Sequence, residues 1–172
     1  MSSFSKRSLG SASALLAAVV IGEPAAGAPA PPAAPAAFAV GGRTPVLVVH
    51  AEGAQLYECK PAAGGLAWTF REPMAALIKD GKTIGRHYAG PTWELDDGGA
   101  VRGKVAASAP GETAADIPLL KLNVVEHRGA GALQDATLVL RLNTHGGGLT
   151  GPCPIADELR VAPYSADYVF LP

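Results

Sequence analysis

An excess of charge of one sign is missing from this sequence. Fourteen Lys and Arg stand against 15 Asp and Glu, for a formal net charge of −1, and no basic run occurs. That balance excludes a nucleic-acid or acidic-membrane surface as the main partner, because such binding needs clustered cations to neutralise phosphates. Long hydrophobic runs are also scarce: the apolar stretch from Leu9 to Gly22 covers about 14 residues, whereas roughly 20 are needed to cross a bilayer core. Serine almost disappears after the N-terminal region. Beyond residue 28 only Ser108 and Ser165 remain, neither in a GxSxG elbow, which argues against a serine-hydrolase triad. The four histidines, His50, His87, His127 and His145, show no HxH or HxxxH spacing, and the two cysteines show no CxxC, so no metal set is expected. At 172 residues the chain suits one domain of ordinary size and is too short for a two-domain cofactor enzyme. No cofactor is expected.

Glycine and proline are plentiful, 21 and 15 residues, and they punctuate the chain into short strands and tight turns. Residues 1–28 read as a secretory signal: Lys6 and Arg7 form the positive flank, Leu9 to Gly22 the apolar run, and Ala26-Gly27-Ala28 a small-residue exit. With the signal removed, no transmembrane segment remains, and the protein is expected to be secreted or periplasmic. Residues 29–43, rich in Pro and Ala, read as a disordered linker favouring polyproline geometry, and 44–172 as an all-β domain. In an exported chain the first hypothesis for Cys59 and Cys153 is a disulfide pinning the late Gly-rich loop to an early strand.

From Thr44 onward, runs of alternating or β-branched residues bounded by Gly, Pro, Asn or Asp predict about nine strands: 45–50, 54–59, 66–70, 83–88, 92–96, 100–107, 117–126, 133–144 and 164–171. Pro73 to Lys79 reads as one or two helical turns. The expected fold is a single antiparallel β-sandwich or closed β-barrel. Leu120, Leu122 and Val124 share one face, as do Leu138, Leu140 and Leu142, with Lys121, Asn123, Arg141 and Asn143 on opposite, wettable faces. Gly129-Ala130-Gly131 would join these two strands in a hairpin. Tyr164, Tyr168 and Phe170 form a core-facing aromatic stripe. A two-residue Asp97-Gly98 turn would place Trp93 opposite Arg102 and Glu94 opposite Val101, and a reversal at Ala89 to Thr92 would set His87 opposite Glu94 and Tyr88 opposite Trp93. That register turns Tyr88 and Trp93 inward and His87 and Glu94 outward, at the cost of two inward arginines, Arg86 and Arg102.

The stretch Gly85-Arg86-His87-Tyr88-Ala89-Gly90-Pro91-Thr92-Trp93-Glu94, followed by Asp97-Gly98, resembles the secreted bacterial and fungal proteins grouped as domain of unknown function family 3455. Further landmarks are Leu56-Tyr57-Glu58-Cys59, Trp68, Ile117-Pro118, the Arg141 to Thr144 run into Gly146-Gly147, Cys153, and Tyr164 through Tyr168 to Phe170. The resemblance implies no activity. Fungal relatives often carry a malate dehydrogenase label, which these residues do not support: Gly98 to Gly103 and Gly129 to Gly131 lie among strands without the strand, Gly-rich turn and helix that cradle a dinucleotide.

The best site candidate is the segment Gly85 to Asp97, where His87, Tyr88, Trp93, Glu94 and Asp97 bring together an imidazole, two large rings and carboxylates. There Glu94 would accept a hydrogen bond from His87, and Tyr88 or Trp93 would offer a flat face to a sugar or aromatic ligand. The bland alternative makes Trp93 core, Asp97 a turn residue and His87 with Glu94 a surface pair worth under about 1 kcal/mol. The reading is an exported, non-catalytic binding module for an unknown small molecule, glycan or envelope protein. Its alternatives are an extracellular carbohydrate-active enzyme using the carboxylates of 85–97, and an envelope inhibitor or protein-interaction domain.

Overall fold

A computed structural model describes residues 36–172; the expected signal, 1–28, and the first part of the expected linker, 29–35, lie outside the described residues. A 3-10 turn at Ala36–Phe38 precedes eight strands: β1 (Leu47–Ala62), β2 (Gly65–Lys79), β3 (Lys82–Tyr88), β4 (Thr92–Leu95), β5 (Ala100–Ala109), β6 (Leu119–Arg128), β7 (Leu138–Gly146) and β8 (Leu159–Leu171). Each pairs antiparallel with its neighbour in sequence, and β8 returns to pair with β1, so a single sheet closes into a ring. The closed form, not the two-sheet sandwich, is the one adopted. Closure pairs the first and last strands and removes the edges a sandwich leaves.

Eight strands replace the expected nine because two predicted runs are one. Along β1, Leu47, Val49, Ala51, Gln55, Tyr57 and Cys59 are buried in strict alternation, and the strand passes straight through Gly53. Glycine is required there: β1 and β2 approach so closely that a Cβ on Gly53 would collide with the Met74 carbonyl and Ala75. The expected helical turn at Pro73 to Lys79 is instead part of β2, with Leu77 fully buried opposite Ala51. Pro73 is tolerated because pairing with β3 begins only at Ala75, so its missing N–H breaks no ladder on that side.

The two ends of the ring are closed by loops. At one end, residues 129–137 form a loop, not the expected tight hairpin and strand, and they place Leu133 and Ala136, both fully buried, in the core. At the other end the β7–β8 connection brings Gly147 against Tyr164, Ile117 and Gln55, and its carbonyl accepts a hydrogen bond from the Tyr57 hydroxyl at 2.7 Å. The expected disulfide is present. Cys59 of β1 and Cys153 of that connection are joined, packed with Tyr57 and Trp68.

The leucine stripes divide between two cores. Leu120, Leu122 and Val124 face the ring interior, as does the stripe of Tyr164, Tyr168 and Phe170. Leu138 and Leu140 face outward, where Phe38, Val40 and Leu171 cover them. Phe38, within the stretch read as linker, is 1% exposed, so the packed unit begins before residue 44. With the leucines outside, Val139 and Arg141 face inward, which reverses the wettable face expected for Arg141.

Candidate functional site

Both reversals in the 85–102 segment use three-residue loops, so each pairing register differs by one residue from the expected one. The β3–β4 connection pairs Tyr88 with Thr92, His87 with Trp93 and Arg86 with Glu94 across Ala89-Gly90-Pro91. The β4–β5 connection pairs Glu94 with Ala100 and Trp93 with Val101, with Gly98 at φ 90° and its N–H donating to the Leu95 carbonyl at 3.0 Å. This is a turn followed by a glycine bulge, the next commonest hairpin after the two-residue type. A shift of one residue moves every side chain to the other face. His87 therefore turns in with Trp93, Tyr88 turns out with Glu94, and Arg86 and Arg102 reach solvent instead of the core.

The expected His87–Glu94 hydrogen bond does not form. His87 is 2% exposed, donates from Nδ1 to the Thr92 carbonyl at 2.8 Å, and stacks on Trp93 with centroids 4.6 Å apart and planes 10° apart. Tyr168 lies 5.0 Å away on the same interior side. Burial pushes the His87 imidazole down to about 3, so the ring is neutral at physiological pH. Trp93 is core.

On the outer face the sheet assembles a polar network that the sequence reading names only in part. Glu94 Oε1 accepts from Arg86 at 2.8 Å and Oε2 from the Tyr88 hydroxyl at 2.7 Å. Arg128, from β6, donates from Nη2 to the Tyr88 oxygen at 2.8 Å and lies 3.4 Å from Glu94 Oε2. Between them on β5 stands Ala100, directly opposite both Glu94 and Arg128, and its small side chain leaves room for the two to meet. Arg86 also lies over the Tyr88 ring, 5.1 Å from its centroid. The Tyr88 hydroxyl first, then Arg86, holds the Glu94 carboxyl below its ordinary range, so it stays ionised. Arg128 escaped the sequence reading because it lies far away in the chain; the signal that could have found it is the β5–β6 pairing.

Asp97 belongs to neither group. Its Oδ1 accepts from the Gly99 N–H and its Oδ2 from the Ala132 N–H, both at 2.8 Å, so the carboxylate ties the β4–β5 turn to the loop closing that end of the ring. Replacing Asp97 with Ala strands two amides that were bonded to a charged group and is expected to cost about 1–3 kcal/mol. Urea denaturation reads the loss, and faster amide exchange confined to 129–137 locates it; unchanged exchange in that loop would sink the assignment.

Of the five residues singled out in sequence, the structure thus brings Tyr88 and Glu94 together, sends His87 and Trp93 inside, and gives Asp97 to the turn. Among the described residues no group of three His, Cys, Asp or Glu stands where it could hold a metal ion, and no helix is long and apolar enough to cross a membrane. No curated protein and no solved structure matches the chain. A family model does match, over residues 78–172, which takes in β3 to β8 and Cys153 but not Cys59. The chain therefore belongs to the family described as protein of unknown function (DUF3455).

Proposed function

We propose that the protein is an exported, non-catalytic binding module whose contact surface is the outer face of β3, β4 and β6 around Tyr88 and Glu94. The observation that carries this reading is a pair of guanidiniums, Arg86 and Arg128, sharing the one Glu94 carboxylate. The cluster keeps a net positive charge and unused N–H donors beside a partly exposed phenol. Such a surface suits an anionic, hydroxyl-bearing ligand, with an acidic glycan of the envelope as the representative class. The disulfide supports an oxidising compartment for this work.

Geometry favours binding over hydrolysis at this segment. A general acid must carry a proton near neutral pH, and Glu94 is held ionised by its three partners. Asp97 has each oxygen on a backbone amide, and His87 is enclosed and neutral. The test is calorimetric titration with polygalacturonate and with neutral dextran. Polygalacturonate is expected to bind, dextran not, and Arg86→Ala with Arg128→Ala to lower affinity at least tenfold. Equal binding of both polymers, or a double variant that binds like the parent, would overturn the reading.

A further inference from the structure

The ring is not of even height, and its low side exposes part of the inner face. β3 and β4 are short: β2 pairs with β3 only from Ala75 to Lys79, and β5 pairs with β4 only from Ala100 to Arg102. Beyond those points β2 and β5 run on without β3 and β4 between them; the Gly151 to Cys153 segment takes that edge of β2 at residues 66–68, and above it the inner face is exposed. Two large apolar side chains mark the opening. Phe70 packs edge-on against Tyr57, whose ring centroid is 5.9 Å away, yet it is 51% exposed. Val105 stands directly opposite the core residue Leu122 and is likewise 51% exposed. Residues opposite each other on antiparallel strands share a face, so both point to the inside of the ring.

A cation also faces the inside of the ring. Arg141 of β7 is opposite Leu120 on one side and the fully buried Tyr168 on the other, so it too faces inward. Its Nε donates to the Pro118 carbonyl at 2.9 Å, which fixes the guanidinium, and among the described residues no carboxylate pairs with it. Burial pushes the phenols of Tyr57, Tyr164 and Tyr168 up and the imidazole of His87 down, and the Arg141 charge reaches all four, opposing the first shift and adding to the second. A second donor is idle on the inner face. Gln55, the inner-face position of β1 next to Tyr57 and 2% exposed, has an amide nitrogen that finds no partner among the described residues, and its Cγ adjoins Gly147 where that loop closes the end.

The inner face thus carries an unpaired guanidinium, an idle amide and phenols together with the apolar side chains of Phe70, Val105 and Leu120. We propose that this opening is a binding site for a small amphiphilic carboxylate, an aliphatic or aryl acid whose carboxylate meets Arg141 while its apolar body lies between Phe70 and Val105. One guanidinium matches one monoanion in planar, two-bond geometry. An apolar cleft with a few convergent polar groups is the usual form of a small-molecule site. The site is separate from the outer-face network around Glu94, and either can fail without the other.

Calorimetry with octanoate, 1-octanol and inorganic phosphate tests it on the intact, oxidised protein. Octanoate is expected to bind at one site per chain, with octanol and phosphate each at least tenfold weaker. Arg141→Met is expected to reduce octanoate affinity at least tenfold while leaving the far-ultraviolet circular dichroism unchanged. Should that variant fail to fold, Phe70→Asp, at a half-exposed position, must produce the same loss. Octanol binding as well as octanoate would remove Arg141 from the site, phosphate binding as well would remove the apolar walls, and octanoate binding unchanged in the folded Arg141→Met or in Phe70→Asp would overturn the proposal.

Discussion

Removing the Cys59–Cys153 bond, by Cys59→Ala with Cys153→Ala, is expected to lower the free energy of unfolding by roughly 4–5 kcal/mol. The figure is the loop-closure entropy restored to the unfolded chain by opening a crosslink, and it is large because the two cysteines are 94 positions apart. Local packing adds to it. The bond holds the segment around Gly151 to Cys153 against β2, where the Trp68 N–H donates to the Gly151 carbonyl at 3.1 Å and the Cys153 N–H to the Leu66 carbonyl at 3.1 Å. Arg160 lies over the Trp68 ring on the same cluster, 4.5 Å from its centroid. Urea denaturation of the double variant beside the oxidised parent measures the difference, with equal slopes showing that the native state is unchanged in compactness. A loss below about 1 kcal/mol would mean that the reduced, unfolded chain is already held together by other contacts.

Acid should destabilise the protein well before its carboxylates titrate. His87 is neutral in the folded protein down to about 3, through burial against Trp93 and Tyr168, while in the unfolded chain it takes a proton near its ordinary value of 6.5. Between those two values the unfolded state binds a proton that the folded state refuses, so stability falls as pH falls. Full stability is present above 6.5, and the loss runs at up to about 1.4 kcal/mol per pH unit until the folded ring itself protonates. The carboxyls of Glu94 and Asp116, both held below their ordinary range, act in the same direction but only below about pH 4.5. The interval from pH 6.5 to 5 therefore excludes those carboxyls, and comparison with a His87 variant separates the buried ring from the surface His50–Asp167 pair. Urea midpoints measured across it are expected to fall steadily, and His87→Gln is expected to flatten that limb. A parent protein equally stable at both ends of the interval would show that the buried ring finds a way to charge inside the fold.

The same residues show where the sequence was legible. All-β character, the Tyr164–Tyr168–Phe170 stripe and the cysteine pair were readable because each rests on local period or on residue type alone. Register was not. Asp97-Gly98 is a strong turn signal, but the dipeptide does not say whether the loop holds two residues or three, and that one residue decides whether Val101 or Arg102 lies opposite the buried Trp93; a one-residue shift at the Ala89 to Thr92 reversal likewise decides whether His87 or Tyr88 faces the core. A cue was present in the sequence: the two expected registers force Arg86 and Arg102 inside, and burying two unpaired guanidiniums costs far more than shifting a turn by one residue. The Leu138–Leu140 stripe misleads for another reason. Its cover, Phe38, comes from a Pro/Ala-rich stretch without strand character, so nothing local says that this apolar face lies outside the ring and leaves the inside to Arg141. Arg128 is invisible to any reading of 85–97 because its contribution depends on pairing between distant strands.

Ring closure by β1 and β8 also sets the order in which the molecule can be completed. Strands β1 to β7 can zip up as successive hairpins while the chain is being made, each closing a short loop. The seam cannot. Leu47 pairs with Phe170, so β1 has no partner on one side until β8 has been made. A strand that lacks its partner on one side presents a bare edge, the kind of edge that is vulnerable to pairing with other chains. Closure of the ring therefore waits on β8, whose pairing with β1 completes the sheet.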